Sequence, residues 1–174
     1  MAVEIERKFL LASEDWRKQV TASTRMQQGY LVDAAAVASG HARCSVRVRV
    51  AGDRAWLNVK SARLGIRRDE YEYPLPVDDA AAMLQELCRG CIDKTRHLVK
   101  RDGWTFEIDE FHGDNQGLVV AEVELPSEDA TFPRPPWLGR EVSHLARYYN
   151  IGLIAHPYAC WTEAERSGEG DIAC

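Results

Sequence analysis

The sequence lacks any long apolar run. No stretch approaches the roughly 18 apolar residues that a membrane-spanning helix needs. Charge begins at Glu4, so there is no basic start followed by an apolar stretch, as a secretory signal would have. We therefore expect a cytoplasmic protein that has no membrane partner.

The sequence also lacks the residue patterns of zinc, disulfide and nucleophile sites. Its five cysteines are odd in number and scattered, which suits free thiols in a reducing compartment. Cys88 and Cys91 have the C-x-x-C spacing, but no second pair matches it, and this disfavours a zinc or redox site. Because no Ser–His–Asp or Cys–His arrangement is visible, we assign no histidine a catalytic role.

There is no excess of positive charge. The chain carries 22 Lys and Arg against 27 Asp and Glu, for a net charge of −5, which argues against a general nucleic-acid binder. Neither G-x-x-x-x-G-K-[ST] nor G-x-G-x-x-G occurs. Any phosphate group must therefore be held by side chains rather than by a glycine loop.

What the sequence does contain is charge at every second position. In MAVEIERKFL, residues Glu4, Glu6 and Lys8 would share one face of a strand. One such run alone is more typical of a solvated sheet face than of a site. Similar alternation recurs and predicts eight mostly sequential antiparallel strands. The seven further strands are predicted at 26–32, 44–50, 56–60, 69–75, 93–99, 105–111 and 118–125.

Turns and helices complete the predicted architecture. Gly52-Asp53 and Asp102-Gly103 have the composition of hairpin turns. A short helix is predicted after Ser13, another over 78–90, and two short helices over 140–157 behind a loop at 133–139. The length fits a single domain over 1–161, with 162–174 as a polar, flexible tail.

The charged faces of these strands are best explained as one interior. Nearly every strand supplies two like charges at i and i+2, a poor choice for a plain solvated face. Closing eight antiparallel strands into a barrel places these groups in a lumen wide enough for one small ligand. We therefore predict an α+β, mainly β fold: a closed eight-stranded antiparallel β-barrel with a few helices packed outside. The inward set is Glu4, Glu6, Lys8, Arg47, Arg49, Lys60, Glu70, Glu72, Lys94, Arg96, Glu107, Asp109, Glu122 and Glu124.

A lumen with both kinds of charge predicts a ligand with both kinds of charge. Six converging Lys and Arg side chains require a polyanion, and the arginine fork matches phosphate oxygens. Eight carboxylates in the same lumen require hard cations such as Mg²⁺ or Mn²⁺ bound together with substrate phosphates. The pattern therefore indicates a metal–polyphosphate ligand.

The ordered series of motifs resembles the CYTH domain of the triphosphate tunnel metalloenzymes. It begins with E-x-E-x-K at Glu4, Glu6 and Lys8, and R-x-R, K, E-x-E, K-x-R, E-x-D and E-x-E strands follow. The similarity spans roughly residues 2–157. EIERKFL, QGYL, EVE and RYYN are most similar to the small bacterial inorganic triphosphatases. The resemblance implies an eight-stranded tunnel and divalent-metal-dependent hydrolysis of a triphosphate.

The resemblance also implies roles for individual residues. The predicted catalytic set is Glu4, Glu6, Lys8, Glu122 and Glu124. The four carboxylates of this set match the family's metal ligands. The bases that match its phosphate-binding residues are Lys8, Arg47, Arg49, Lys60, Lys94 and Arg96. The remaining lumen acids match supporting positions, either as further metal or water ligands or as partners that orient the bases. These acids are Glu70, Glu72, Glu107 and Asp109. Leu145 departs from the family, whose members commonly carry Asp two residues before the Arg of the RY motif.

Several activities stay open at this point. The first is release of orthophosphate from inorganic triphosphate with Mg²⁺ or Mn²⁺. The alternatives are an adenylate cyclase or a thiamine or nucleoside triphosphatase of the same family, or a barrel that binds polyphosphate or nucleotide without catalysis. The full carboxylate set argues against a pure anion-binding protein, since anion binding alone does not need so many acids.

Overall fold

A computed structural model describes residues 2–32, 34–62 and 66–167. Its main feature is one sheet of nine strands. The strands are β1 (Ala2–Leu11), β2 (Val20–Val32), β3 (Cys44–Ala51), β4 (Arg54–Ser61), β5 (Arg67–Leu75), β6 (Cys91–Arg101), β7 (Trp104–Phe111), β8 (Val119–Glu124) and β9 (Leu138–Glu141).

The sheet closes into a barrel through its first strand. The strand order is β5-β4-β3-β2-β6-β7-β8-β1-β9, and an additional β1–β5 pairing closes the ring. All pairings are antiparallel, and β1 places Lys8 opposite Glu122 on β8. The other edge of β1 pairs with β5 over Ala2–Ile5 and then with β9 at Phe9 and Leu11. The predicted closed eight-stranded antiparallel barrel is therefore confirmed, with β9 as an extra short strand.

The predicted hairpins are confirmed as well. Gly52 and Asp53 join β3 to β4, and Asp102 and Gly103 join β6 to β7. Asp102 and Gly103 have φ values of 50° and 82°. Two successive left-handed residues give the turn twist that matches flanking antiparallel strands, and Asp-Gly tolerates this conformation well.

The helices are short and lie outside the barrel wall. They are α1 (Ala34–Ala38), α2 (Val77–Glu86), α3 (Asn150–Ala155) and α4 (Glu163–Ser167). The predicted helix after Ser13 is a 3₁₀ helix over Glu14–Gln19, and the Ser13 hydroxyl accepts a hydrogen bond from the backbone N–H of Asp15, as expected of an N-cap. Helix α1 was not predicted from the sequence.

The C-terminal third differs from the prediction. Residues 138–141, expected as loop and helix, form β9, because they pair with β1 across more than 120 positions of sequence. The two short helices predicted over 140–157 are a 3₁₀ turn at Ala146–Tyr148 and α3. Residues 163–167 of the predicted flexible tail form α4, where Glu165 lies 3.2 Å from the His156 ring nitrogen. Residues 168–174 of that tail lie outside the described residues.

Apolar residues on the outer face of the barrel form its core with the covering segments. Trp16 of the 3₁₀ helix and Trp137 pack with Phe9 and Phe106 on one side. On the other side, Ala80 of α2 packs with residues of β3 and β4. The strands alternate as predicted, with apolar side chains in these clusters and charged side chains facing the lumen.

One end of the lumen is closed by an apolar plug. Inward positions beyond the charged ones turn apolar, with Ile92 two residues before Lys94 and Phe111 two residues after Asp109. They pack against the C-terminal segment, and the plug as a whole contains Ile92, Phe111, Leu118, Val120, Val142, Leu145, Tyr148, Leu153 and Trp161. Leu145 is only 6% exposed there. The apolar side chain at this position is thus explained, because an unpaired Asp would be costly in such surroundings.

The described part of the chain contains no helix with the length and apolar character needed to cross a lipid bilayer.

Candidate active site

The lumen holds a cavity of about 220 Å³ whose walls are mostly charged. Seven carboxylates and six Lys or Arg side chains line it. The lining residues are Glu4, Glu6, Lys8, Tyr30, Ser45, Arg47, Arg49, Lys60, Arg68, Glu70, Glu72, Arg96, Glu107, Glu122, Glu124, Tyr149, Asn150 and Ile151. Twelve of the fourteen residues predicted to face the lumen are therefore together around one cavity.

Lys8 lies at the centre of a buried cluster of acids. Its Nζ is 3.0 Å from Glu6 and also pairs with Glu122, while the Lys8 side chain is only 3% exposed. Burial alone would lower the pKa of Lys8, but Glu122 and Glu6 together raise it above its ordinary value. Burial would likewise raise the pKa of Glu6, but Lys8, Lys60 and Arg68 together outweigh burial and lower it to about 2. This cluster is therefore fully ionised at neutral pH.

Glu4 is in a different electrostatic position. Lys60 donates a hydrogen bond of 2.6 Å to Glu4 and lies 3.3 Å from Glu70. Burial and the negative charge of Glu6 nevertheless raise the pKa of Glu4 to about 7. The pKa of Glu70 is instead lowered, since Lys60 and Arg47 outweigh the effect of its burial. Glu4 is thus a lumen carboxylate that titrates near neutral pH.

Arg96 connects three inward carboxylates. Its guanidinium donates two hydrogen bonds of 2.7 Å to Asp109 and one of 2.7 Å to Glu122, and it also pairs with Glu107. Burial raises the pKa of Glu107, with the Arg96 charge opposing the shift. Arg96 therefore reaches the cavity as a fixed, already oriented cation.

Lys94 and Asp109 face inward but do not line the cavity. They form an ion pair of 2.5 Å with both side chains 1% exposed, close to the apolar plug. Asp109 is shared with Arg96, and the two cations lower its pKa against the effect of burial. A direct contact of Lys94 with substrate stays a prediction, and its placement points to support of Arg96 through Asp109.

The opposite wall carries the two arginines of β3. Arg49 donates a hydrogen bond of 2.7 Å to Glu72, and Arg47 lies 3.8 Å from Glu70. The Asn58 amide donates a hydrogen bond of 2.9 Å to Glu70 and one of 2.6 Å to Glu72. Both arginines thus stand at the cavity with carboxylate partners that a phosphate group can replace.

Glu124 lies at the open rim. It lines the cavity but is solvent-exposed, and it makes no side-chain ion pair with any other residue in the described ranges. In the β1–β8 register it lies opposite Glu6. Of the four predicted metal ligands, Glu124 is therefore the one most accessible from solvent.

Six lining residues were not predicted from the sequence: Tyr30, Ser45, Arg68, Tyr149, Asn150 and Ile151. Arg68 lies 2.6 Å from Glu6 and 3.6 Å from Glu4. The sequence contained a signal for Arg68, because it stands two residues before Glu70 and so shares the strand face of Glu70 and Glu72. It was missed because it stands one residue before the predicted start of the strand. Tyr30 lies on the weakly patterned strand β2, and Tyr149 lies in an irregular segment that has no period-two pattern.

The donor set fits a hard cation that arrives together with phosphate. Carboxylate oxygens are the ligands that Mg²⁺ and Mn²⁺ prefer. Within the ranges that the structure describes, however, no three acidic, His or Cys side chains converge closely enough to hold a metal ion alone. Mg²⁺ is commonly bound by one or two carboxylates plus substrate phosphates, which agrees with this spread-out arrangement.

Fold and site together define a class: a closed antiparallel barrel whose charged, one-ended lumen is built for a small polyanion. The CYTH domain family model matches residues 2–152. The chain therefore belongs to the CYTH domain family, whose triphosphatases generally depend on a divalent metal ion.

Relatives of the chain carry names that agree with this class. An inorganic triphosphatase of Acetivibrio thermocellus is 42% identical over 164 residues, covering 94% of this chain and 100% of the relative. One of Nitrosomonas europaea is 35% identical over 153 residues, covering 86% of this chain and 95% of the relative. The crystal structure of an inorganic triphosphatase has a TM-score of 0.60 and 34% identity, covering 88% of this chain and 95% of that one.

Proposed function

We propose that this protein hydrolyses inorganic triphosphate in the cytoplasm with Mg²⁺ or Mn²⁺, releasing orthophosphate. The observation that carries the proposal is the cavity, with six bases around a volume of about 220 Å³. Pockets for drug-sized ligands have roughly 300–1,000 Å³. A linear triphosphate offers the charge that the bases require without a bulky organic group. The names of the two relatives support the same substrate.

Binding proceeds as an exchange of ion pairs. In the structure the bases are paired with carboxylates, as Lys60 is with Glu4 and Arg49 with Glu72. A triphosphate offers its own oxygens to Lys8, Arg47, Arg49, Lys60, Arg68 and Arg96. The carboxylates released by this exchange are then available to cations. Triphosphate and metal should therefore each raise the affinity for the other.

The predicted metal ligands are Glu4, Glu6, Glu122 and Glu124. A bound divalent cation supplies charge neutralisation and lowers the pKa of water. The reaction is attack of water on a terminal phosphorus of the linear triphosphate, which gives orthophosphate and pyrophosphate. Since phosphoryl transfer needs mainly positioning and electrostatic stabilisation, the fixed guanidinium of Arg96 and the buried ammonium of Lys8 stabilise charge on the transferred group.

The apolar plug limits how substrate can enter. Because it closes one end of the lumen, substrate enters through the rim that carries Glu124 and places a chain terminus inside. We also propose that residues 1–161 act as one domain, since Trp161 is still part of the plug. Neither a nucleic-acid polymer nor a membrane is needed as a partner.

Hydrolysis of a nucleoside triphosphate is the second candidate. An apolar pocket of about 130 Å³ adjoins the cavity and shares Tyr30 and Ile151 with it. Ala34, Ala35 and Ile154 supply further apolar lining. A base could be held there while the phosphates lie in the tunnel.

One assay separates the candidates. Orthophosphate release is measured from inorganic triphosphate and from ATP, each with Mg²⁺, with Mn²⁺ and with a chelator, while cyclic AMP is measured in the ATP samples. We expect metal-dependent release that is faster from triphosphate than from ATP, and no cyclic AMP. Faster release from ATP would indicate a nucleoside triphosphatase. Formation of cyclic AMP would indicate a cyclase, and binding without turnover would indicate a binding protein.

A further inference from the structure

Tyr149 places its aromatic ring in contact with two cations of the active site. The Lys8 ammonium lies 5.0 Å from the ring centroid, and the Arg68 guanidinium also lies 5.0 Å from it. The residue lines the cavity and is only 8% exposed. Both distances are within the range at which a cation is attracted to the negative face of an aromatic ring.

The ring is fixed by the same residue that fixes the backbone of Lys8. The Tyr149 hydroxyl donates a buried hydrogen bond of 2.6 Å to the backbone carbonyl of Ser143. The Ser143 hydroxyl accepts one of 2.9 Å from the backbone N–H of Lys8 and donates one of 2.8 Å to Glu141. Val142 adds a backbone hydrogen bond of 2.8 Å to the Lys8 carbonyl. The ring and Lys8 are therefore held in one frame.

Lys8 and Arg68 repel each other and need a partner that keeps them together. Glu6 is one such partner, at 3.0 Å from Lys8 and 2.6 Å from Arg68. Glu6 is also a predicted metal ligand, so its oxygens have competing uses. The Tyr149 ring carries no net charge and makes no such exchange, so its contact with both cations persists when the carboxylate changes partner.

We propose that Tyr149 is a positioning residue that holds Lys8 and Arg68 at the spacing with which they bind triphosphate. The inference rests on the proposed function, because it assigns these two cations to that substrate. It adds a role for the C-terminal segment, which supplies an aromatic contact to the active site besides closing the lumen.

The test varies the electron density of the ring while its shape is kept. Residue 149 is replaced by phenylalanine and by mono-, di- and trifluorophenylalanine, since fluorine withdraws electron density from the ring face that attracts cations. Triphosphate affinity is measured by calorimetry without divalent metal, and kcat and KM are measured with Mg²⁺. Thermal unfolding of each variant shows that it is folded.

We expect Tyr149→Phe to bind triphosphate within about threefold of the parent protein, and the trifluoro variant to bind about tenfold more weakly. Affinity should fall stepwise with fluorine number, and KM should rise more than kcat falls. Tyr158→Phe is the matched control, because its ring faces Arg166 at 4.8 Å outside the lumen. The control should leave affinity unchanged.

Affinity that does not depend on fluorine number would overturn the proposal. So would a loss in the phenylalanine variant as large as in the trifluoro variant, because the hydroxyl would then be the decisive group. Failure of the proposed function has a separate signature: the parent protein would not hydrolyse triphosphate in the presence of Mg²⁺. The metal-free binding series would still decide whether the ring positions the two cations.

Discussion

Replacing Lys94 by methionine tests whether Lys94 has a structural role beside the apolar plug rather than a direct contact with substrate. Lys94 and Asp109 form a 2.5 Å ion pair with both side chains 1% exposed. Removing one partner of a buried ion pair costs about 3–5 kcal/mol, because the other charge stays buried without compensation. Asp109 keeps two hydrogen bonds of 2.7 Å from Arg96. We therefore expect the lower end of that range, about 3 kcal/mol.

For a chain of this length, 1 kcal/mol changes Tm by roughly 2–4 °C, so Lys94→Met should lower Tm by about 6–12 °C. The free energy of unfolding is measured by denaturant titration without ligand. Lys100→Met is the matched control on the same strand, since Lys100 is exposed, and it should change stability by less than about 0.5 kcal/mol.

Hydrolysis of triphosphate supplies the second readout for Lys94→Met. Since Lys94 does not line the cavity, KM should change by less than about threefold at a temperature where the variant is folded. Unchanged stability together with a KM raised tenfold or more would refute this reasoning. That result would mean that the ammonium reaches the substrate, as the sequence alone predicts.

Three further predictions follow from the lining residues. Glu122→Ala should reduce hydrolysis at least about 100-fold at saturating Mg²⁺, because loss of a metal ligand should exceed the 10–100-fold effect of residues that only support a ligand. Near-normal turnover would mean that Glu122 is not a metal ligand. Arg49→Ala should lower kcat/KM by an amount equivalent to about 2–4 kcal/mol, and an unchanged value would mean that this arginine does not meet the substrate. The pKa of Glu4 is raised from 4.5 to about 7, so the folded protein holds this proton more tightly than the unfolded chain does. The resulting loss of stability is absent below pH 4.5 and complete above about pH 7. Ligand-free parent protein should therefore lose stability relative to Glu4→Gln as pH rises through this window, and parallel unfolding profiles would contradict the raised pKa.

Sequence reasoning was sufficient for the barrel because its signal is local. Side chains two apart in a strand share a face, so doublets such as Arg47 and Arg49 report their own orientation. From the pairs of like charges we inferred that the charged strand face is enclosed, and most of these residues do line one cavity. Arg68 shows the limit of this signal: the predicted strand starts at residue 69, two residues after the observed start at Arg67, so an inward base was missed.

The C-terminal segment could not be predicted in this way because its structure depends on distant partners. β9 is four residues long, and its pairing with β1 is long-range. Tyr149 enters the site through contacts with Lys8, Arg68 and Ser143, none of which its sequence neighbours reveal. The same applies to the plug, because the burial of Lys94 depends on Leu145 and its neighbours closing the lumen.

The measurement that tests the central claim most directly is a thermal shift with inorganic triphosphate and a divalent metal that supports binding without turnover. A ligand at 100 times its Kd adds about 2.7 kcal/mol to the free energy of unfolding. For this chain length, that corresponds to a Tm increase of about 5–10 °C. Orthophosphate should give a much smaller increase, since it can contact only part of the six bases.

The double variant Arg49→Gln with Lys60→Gln should largely remove the triphosphate shift while the barrel stays folded, because both side chains are more exposed than the buried Lys8. This outcome is expected if the charged faces of the strands enclose the substrate. Shifts that are small, equal for triphosphate and orthophosphate, and erased by about 0.5 M salt would contradict it, because they are typical of anions on a solvated outer surface.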